Sequence, residues 1–180
     1  MPPRRTFAEG LEFGRRGERL VEAWLQSIGI ATMPAYDFAG QGAPEMRRAE
    51  WRTPVPDILG MRKARSFWFE VKTHTQAIPN RRRGCKVHGV KARLFRGYKV
   101  ISAEAGMPVY LLILELDTCA LLSARIDLLE TWSCECWQCQ SGKENACLGK
   151  RLVYFRRDAM VKVHSFSRAE CDGVAQSEAA

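Results

Sequence analysis

At 180 residues the chain has room for one domain and a short insertion, and a core of that size needs no covalent help. Its 46% hydrophobic and 27% charged composition excludes a disordered or fibrous chain. The formal charge of +8 and the pI near 9.3 favour a polyanionic partner such as nucleic acid, although charge alone would suit an anionic membrane surface equally well.

Along the chain, residues 12–30 repeat Phe13, Leu20, Val21, Trp24, Leu25 and Ile28 at three- and four-residue intervals, while Arg15, Arg16, Arg19 and Glu22 fall elsewhere. This pattern predicts an amphipathic helix, ended by Gly29. Residues 33–51 have no period and read as a surface loop. Two strands are expected at 55–61 and 66–73, joined through Arg62, Lys63, Ala64 and Arg65 as a hairpin. A basic, turn-rich segment over 79–86 leads to a predicted helix over 88–105, closed by Gly106 and Pro108.

Residues 109–116 form a near-continuous apolar run, as in a strand covered on both faces, with 120–126 as its partner. The longest apolar stretch, 107–116, is too short for the roughly 20 residues that cross a bilayer and already contains Glu115. The opening Met-Pro-Pro-Arg-Arg-Thr has charge but no apolar region after it, so a cytoplasmic protein with no membrane attachment is expected. Residues 152–155 read as a last strand. A single domain over 1–168, interrupted by a cysteine-rich insertion at 132–150, is followed by a small, polar, frayed tail at 169–180.

Strand parity singles out one constellation. Successive side chains alternate between faces, so Glu70 and Lys72 share a face while Phe69, Val71 and Thr73 share the other. With a hairpin turn at Lys63 and Ala64, Asp57 comes opposite the far half of the second strand, near that pair. Glu18 lies on the first helix within Gly14-Arg15-Arg16-Gly17-Glu18, where the missing side chain of Gly17 permits close approach to the sheet. Taken singly, Glu18 reads as a solvated helix charge, Asp57 as a turn residue, and Glu70 with Lys72 as an exposed ion pair worth about 1 kcal/mol at most.

Taken together and in order, Gly17-Glu18 on a helix, Pro56-Asp57 on a strand, Glu70-Val71-Lys72-Thr73 on the next and then a basic helix resemble the PD-(D/E)xK nuclease superfamily. The resemblance covers residues 12–116. It implies an α/β fold of restriction-endonuclease-like or resolvase-like type, with a central four-stranded mixed sheet flanked by helices, which residues 152–155 would extend. It also implies a Mg2+- or Mn2+-dependent endonuclease with DNA more than RNA as substrate, branched or structured duplexes included. Asp57 and Glu70 would be direct metal ligands with the carbonyl of Val71, Glu18 a ligand through water, and Lys72 the group that orients or deprotonates the attacking water. A hard cation on carboxylates supplies both charge stabilisation and an activated water. Resolvase-like relatives commonly form homodimers, but no dimer face is legible here. The alternative is a non-catalytic nucleic-acid-binding or partner-binding module on the same scaffold.

Arg81, Arg82, Arg83, Lys86, Lys91, Arg93, Arg96 and Lys99 would line a phosphate backbone, positioning substrate without reading bases. Lys91, Tyr98 and Lys99 are candidates to project towards the site from the helix, and His74 and His88 flank it as surface residues able to touch phosphate. Cys134, Cys136, Cys139 and Cys147, four of seven cysteines, supply the thiolates for a structural Zn2+. A 4Fe-4S cluster is the rival, as some nucleases of the superfamily carry one. Those usually draw one cysteine from upstream of the catalytic motifs, and this chain has none before Cys85.

Overall fold

The first helix, α1 (Phe7–Ser27), starts a turn earlier than the apolar pattern predicts, because Thr6 and Glu9 form a reciprocal capping box at its N-terminus. Phe13, Gly17, Val21 and Leu25 are its buried residues, four apart on one face. The chain leaves the helix through Gly29 at φ 80°, as expected. The structure, a computed structural model, describes residues 6–35, 44–48, 51–133 and 152–176, with the backbone alone for Arg48 and Trp51. Cys134, Cys136, Cys139 and Cys147 lie outside the described residues.

Six strands form the central sheet: β1 (Ala31–Pro34), β4 (Ile58–Arg62), β5 (Arg65–His74), β8 (Val109–Glu115), β9 (Ala120–Arg125) and β12 (Val161–Ser165), in the order β1-β4-β5-β8-β9-β12. The expected four strands are β4, β5, β8 and β9. The additions are β1, within the segment read as loop, and β12, which pairs with β9 where no strand was expected. β5 and β8 are parallel and every other neighbouring pair is antiparallel. The β4–β5 hairpin turns on Lys63 (φ 49°) and Ala64 (φ 58°), a two-residue loop whose left-handed backbone matches strand twist.

The parallel crossover from β5 to β8 holds β6 (Ile78–Asn80), β7 (Cys85–Lys91) and α2 (Ala92–Ala105). The predicted helix at 88–105 therefore begins four residues late: residues 88–91 belong to a strand that buries Val87, His88 and Val90. β7 pairs with β11 (Leu152–Arg156), so residues 152–155 build a second sheet, β10-β11-β7-β6 with β10 at Trp132–Ser133, rather than extend the first. A separate hairpin joins β2 (Glu45–Arg48) to β3 (Trp51–Pro54). α2 ends at Gly106, φ 63°, as the sequence predicts.

Each face of the central sheet carries its own core. On one, α1 packs with Phe69, Val71, Leu112, Leu114 and Leu121. On the other, Trp68, Leu111, Ile113 and Leu122 meet Phe95, Tyr98 and Ile101 of α2 and Phe155 of β11. Beyond a one-turn 3-10 helix at Arg157–Ala159, the chain closes with α3 (Arg168–Ala175). Ser167 and Glu170 cap α3, and Cys171 and Val174 are buried against the first core. The segment read as a frayed tail is thus ordered to residue 175, since two apolar residues three apart suffice to dock one face of two turns.

Candidate active site

β5 is ten residues long, but β4 pairs only with its first half, Ile58 lying opposite Phe69. Past that point one edge of β5 has no partner strand among the described residues, while the other stays bonded to β8 through His74. A residue in a strand directs its N–H and C=O to the same side. At Val71 that side is the open edge, and a donor and an acceptor stand there without a backbone partner strand.

Asp57, one residue before β4, meets the donor: its Oδ2 accepts from Val71 N at 2.8 Å. The carbonyl of Asp57 accepts from Ala35 N at 2.8 Å, so the residue is held from both ends and is 5% exposed. Lys72 meets the acceptor, its Nζ donating to Val71 O at 2.9 Å. The same ammonium lies 3.6 Å from Asp57 Oδ2 and makes an ion pair with Glu70 Oε1. The structure brings Asp57 to Glu70 and Lys72 as strand parity and the hairpin turn predict, and the Val71 carbonyl lies beside them.

Glu70 differs from the exposed partner considered above. It is 2% exposed, takes a hydrogen bond from Tyr98 of α2, and leaves Oε2 buried with no partner among the described residues. Burial and the charge of Asp57 push its carboxyl up to about 8 against the pull of Lys72. Burial opposes the charge on Lys72 too, but Asp57 and Glu70 outweigh it and hold the ammonium form. Tyr98 was one of three candidates on the helix. Lys99 instead lies over the Phe95 ring, 5.2 Å from its centroid, and Lys91 is an exposed residue at the end of β7.

Glu18 approaches from α1. A Cβ at Gly17 would stand 1.8 Å from Thr73 Oγ1, so glycine is what lets α1 settle on β5 between Lys72 and His74. Glu18 is half-buried there, and burial followed by the charge of Asp57 raises its carboxyl to about 7. Among the described residues no three His, Cys, Asp or Glu side chains stand close enough together to share a metal ion. Lys72 lies between Asp57 and Glu70, an ammonium offsetting two buried carboxylates.

The eight basic residues are all exposed. Arg81, Arg82 and Arg83 ride the β6–β7 turn, Lys86 and Lys91 lie on β7, and Arg93, Arg96 and Lys99 on α2. Arg83 stacks over Trp132 at 4.3 Å. His88, expected at the surface, is 1% exposed, because it lies on a strand and points inward. It joins a network that sequence reasoning missed, with Glu115 of β8 and Arg157. The available signal was Glu115 itself, a carboxylate inside an apolar strand, which is costly to bury unless partnered.

No family model matches this chain, and no curated protein matches it in sequence. Among solved structures, the Holliday junction resolvase Hjc of the archaeal hyperthermophile Archaeoglobus fulgidus superposes with a TM-score of 0.54 at 16% identity, covering 83% of this chain and 96% of that one. D212, a nuclease from a fusellovirus, gives a TM-score of 0.42 at 10% identity over 97% of this chain and 98% of that one. The likeness to the resolvase shows the fold: this chain shares the mixed-sheet architecture of that protein.

Proposed function

We propose that the chain is a divalent-metal-dependent DNA endonuclease of PD-(D/E)xK type, acting on branched or otherwise structured duplexes. The observation that carries this reading is the convergence of Asp57, Glu70, Lys72 and the Val71 carbonyl at the open edge of β5. The superposing structure is a Holliday junction resolvase, which supports a branched substrate.

The residues fit a hard cation. Two buried carboxylates offer oxygen ligands of the preferred kind, one oxygen of Glu70 lacks a partner among the described residues, and the carboxyls of Glu70 and Glu18 are held out of their comfortable charged range. Asp57, Glu70 and the Val71 carbonyl would hold Mg2+ or Mn2+, with Glu18 reaching it through water. When bound, the ion supplies charge stabilisation at the scissile phosphate and lowers the pKa of water. Lys72, displaced from the carboxylates it now bridges, orients the attacking water and offers a cation to the developing phosphorane. The exposed basic residues from Arg81 to Lys99 carry the substrate backbone.

Outside this site, Cys134, Cys136, Cys139 and Cys147 are proposed to hold a structural Zn2+, which elemental analysis of the purified protein separates from iron. The nuclease reading is tested by cleavage of plasmid and four-way-junction DNA with Mg2+ or Mn2+. Wild-type protein is expected to cut, and Asp57→Ala and Lys72→Ala to lose at least about 100-fold. Salt-dependent binding without cleavage would favour the non-catalytic module instead.

A further inference from the structure

Two residues beyond Lys72 on the same face of β5, His74 begins a chain of hydrogen bonds that the reading above does not use. Its Nδ1 is 2.8 Å from Nδ1 of His88 on β7, and His88 Nε2 is 2.7 Å from Glu115 Oε1 at the end of β8. Glu115 also accepts from Thr118 Oγ1 at 2.9 Å and from Arg157, Nε at 2.7 Å and Nη2 at 2.6 Å. Burial works against the charge of Glu115, yet the hydrogen bonds of Arg157, Thr118 and His88 outweigh it and lower its carboxyl to about 2. It is a carboxylate and only accepts.

Proton positions follow from that end. A carboxylate acceptor requires the hydrogen of neutral His88 on Nε2, which leaves a lone pair on its Nδ1. His74 must then donate from Nδ1, so the lone pair of His74 is on Nε2. Among the described residues that nitrogen has no hydrogen-bond partner, and the ring is half-buried rather than enclosed. A structural ion-pair network would end in satisfied groups. This one ends in a fixed acceptor on a residue whose Cα is about 7 Å along the strand from that of Lys72, by strand rise, which is the scale of one phosphodiester and its attacking water.

We propose, resting on the nuclease reading, that His74 is a further catalytic residue whose Nε2 takes the proton from the attacking water, with His88 and Glu115 as positioning residues. As the water oxygen bonds to phosphorus, one water proton moves to His74 Nε2 and the Nδ1 proton of His74 passes to His88 Nδ1. The bond from phosphorus to the leaving oxygen breaks, and that oxygen takes a proton from solvent. The positive charge comes to rest on His88, hydrogen-bonded to Glu115, and the proton returns to solvent by the reverse path.

The test uses the full chain with Mn2+, junction DNA and single-turnover conditions. His74→Ala is expected to lose about 100- to 1000-fold in rate, with the fold retained by circular dichroism and Ca2+-supported DNA binding unchanged, and to regain part of the rate with added imidazole. A His74→Ala rate within threefold of wild type overturns the proposal and leaves the nuclease reading standing, whereas no cleavage by the wild type overturns both. DNA with sulfur at the leaving position should not rescue His74→Ala. Rescue would make His74 the acid for the leaving group and overturn its role as acceptor. The charges facing the two rings are Lys72 on β5, Glu115 on β8, Arg157 and Asp117. Glu115→Gln removes the one that holds a proton on the pair, so the acid limb of the wild-type rate profile moves to lower pH. A lower plateau with an unmoved limb would overturn the relay.

Discussion

The far half of β5 carries two buried polar groups of opposite design. Around Asp57 and Glu70, acceptors outnumber donors: two carboxylates and a backbone carbonyl share one ammonium, Glu70 Oε2 has no partner among the described residues, and the carboxyls of Glu70 and nearby Glu18 are raised. Around Glu115, one carboxylate receives Arg157, Thr118 and His88, and its carboxyl is lowered. A buried polar group without its partner costs stability, and fixed sites of that kind are where a ligand has something to gain. The second network completes itself from the chain; the first leaves an oxygen that the described residues do not satisfy.

Removal of one carboxylate from each network sharpens this contrast most. Glu115→Ala strands Arg157 and the buried His88, and is expected to cost about 3–5 kcal/mol in urea unfolding. Glu70→Gln keeps the shape and removes a disfavoured charge, so its unfolding free energy without metal should equal or exceed that of wild type while cleavage is lost. A loss with Glu70→Gln as large as that with Glu115→Ala would break the comparison.

A smaller effect is expected where α1 spans the two groups. Gly17→Ala sets a methyl 1.8 Å from Thr73 Oγ1, so α1 or Thr73 must shift, at about 1–3 kcal/mol. Because Glu18 follows directly, the variant should also need more Mn2+ for half-maximal cleavage. Thermal unfolding with and without Thr73→Ala checks the cause, since shortening Thr73 should restore part of the loss.

Smallest is the pH dependence, in which the two groups act with opposite sign. Glu18 and Glu70 are raised to about 7 and about 8. Their relative stabilisation is complete below the ordinary carboxylate value and is lost as pH rises through those values. His74 is lowered to about 4 by burial, His88 and Lys72; its contribution is complete above the ordinary histidine value and is lost as pH falls towards 4. Above the ordinary histidine value of 6.5 only the two carboxyls act, so metal-free protein should lose stability from there to about pH 8 in thermal melts. Glu70→Gln should flatten the alkaline side and His74→Gln the acid side, and added Mg2+ should raise the melting temperature more at pH 8 than at pH 5.5.

Sequence alone determined what depends on local period. The parity of Glu70 and Lys72, the Lys63-Ala64 turn that brings Asp57 alongside, the clearance at Gly17 and the helix stops at Gly29 and Gly106 all follow from neighbours in the chain, and all hold. Tertiary structure decided the rest, because it turned on partners far apart in sequence. Residues 88–91 are strand because β11 pairs with them across some sixty residues, and β12 joins the sheet through β9. The stretch 88–91 has no local period long enough to choose between helix and strand, and the ladder chooses. Of the candidate site, Asp57, Glu70 and Lys72 were legible since two adjacent strands build it. The open edge at Val71, the orphaned oxygen of Glu70, and the route from His74 through His88 to Glu115 were not, because each depends on where a third element ends or packs.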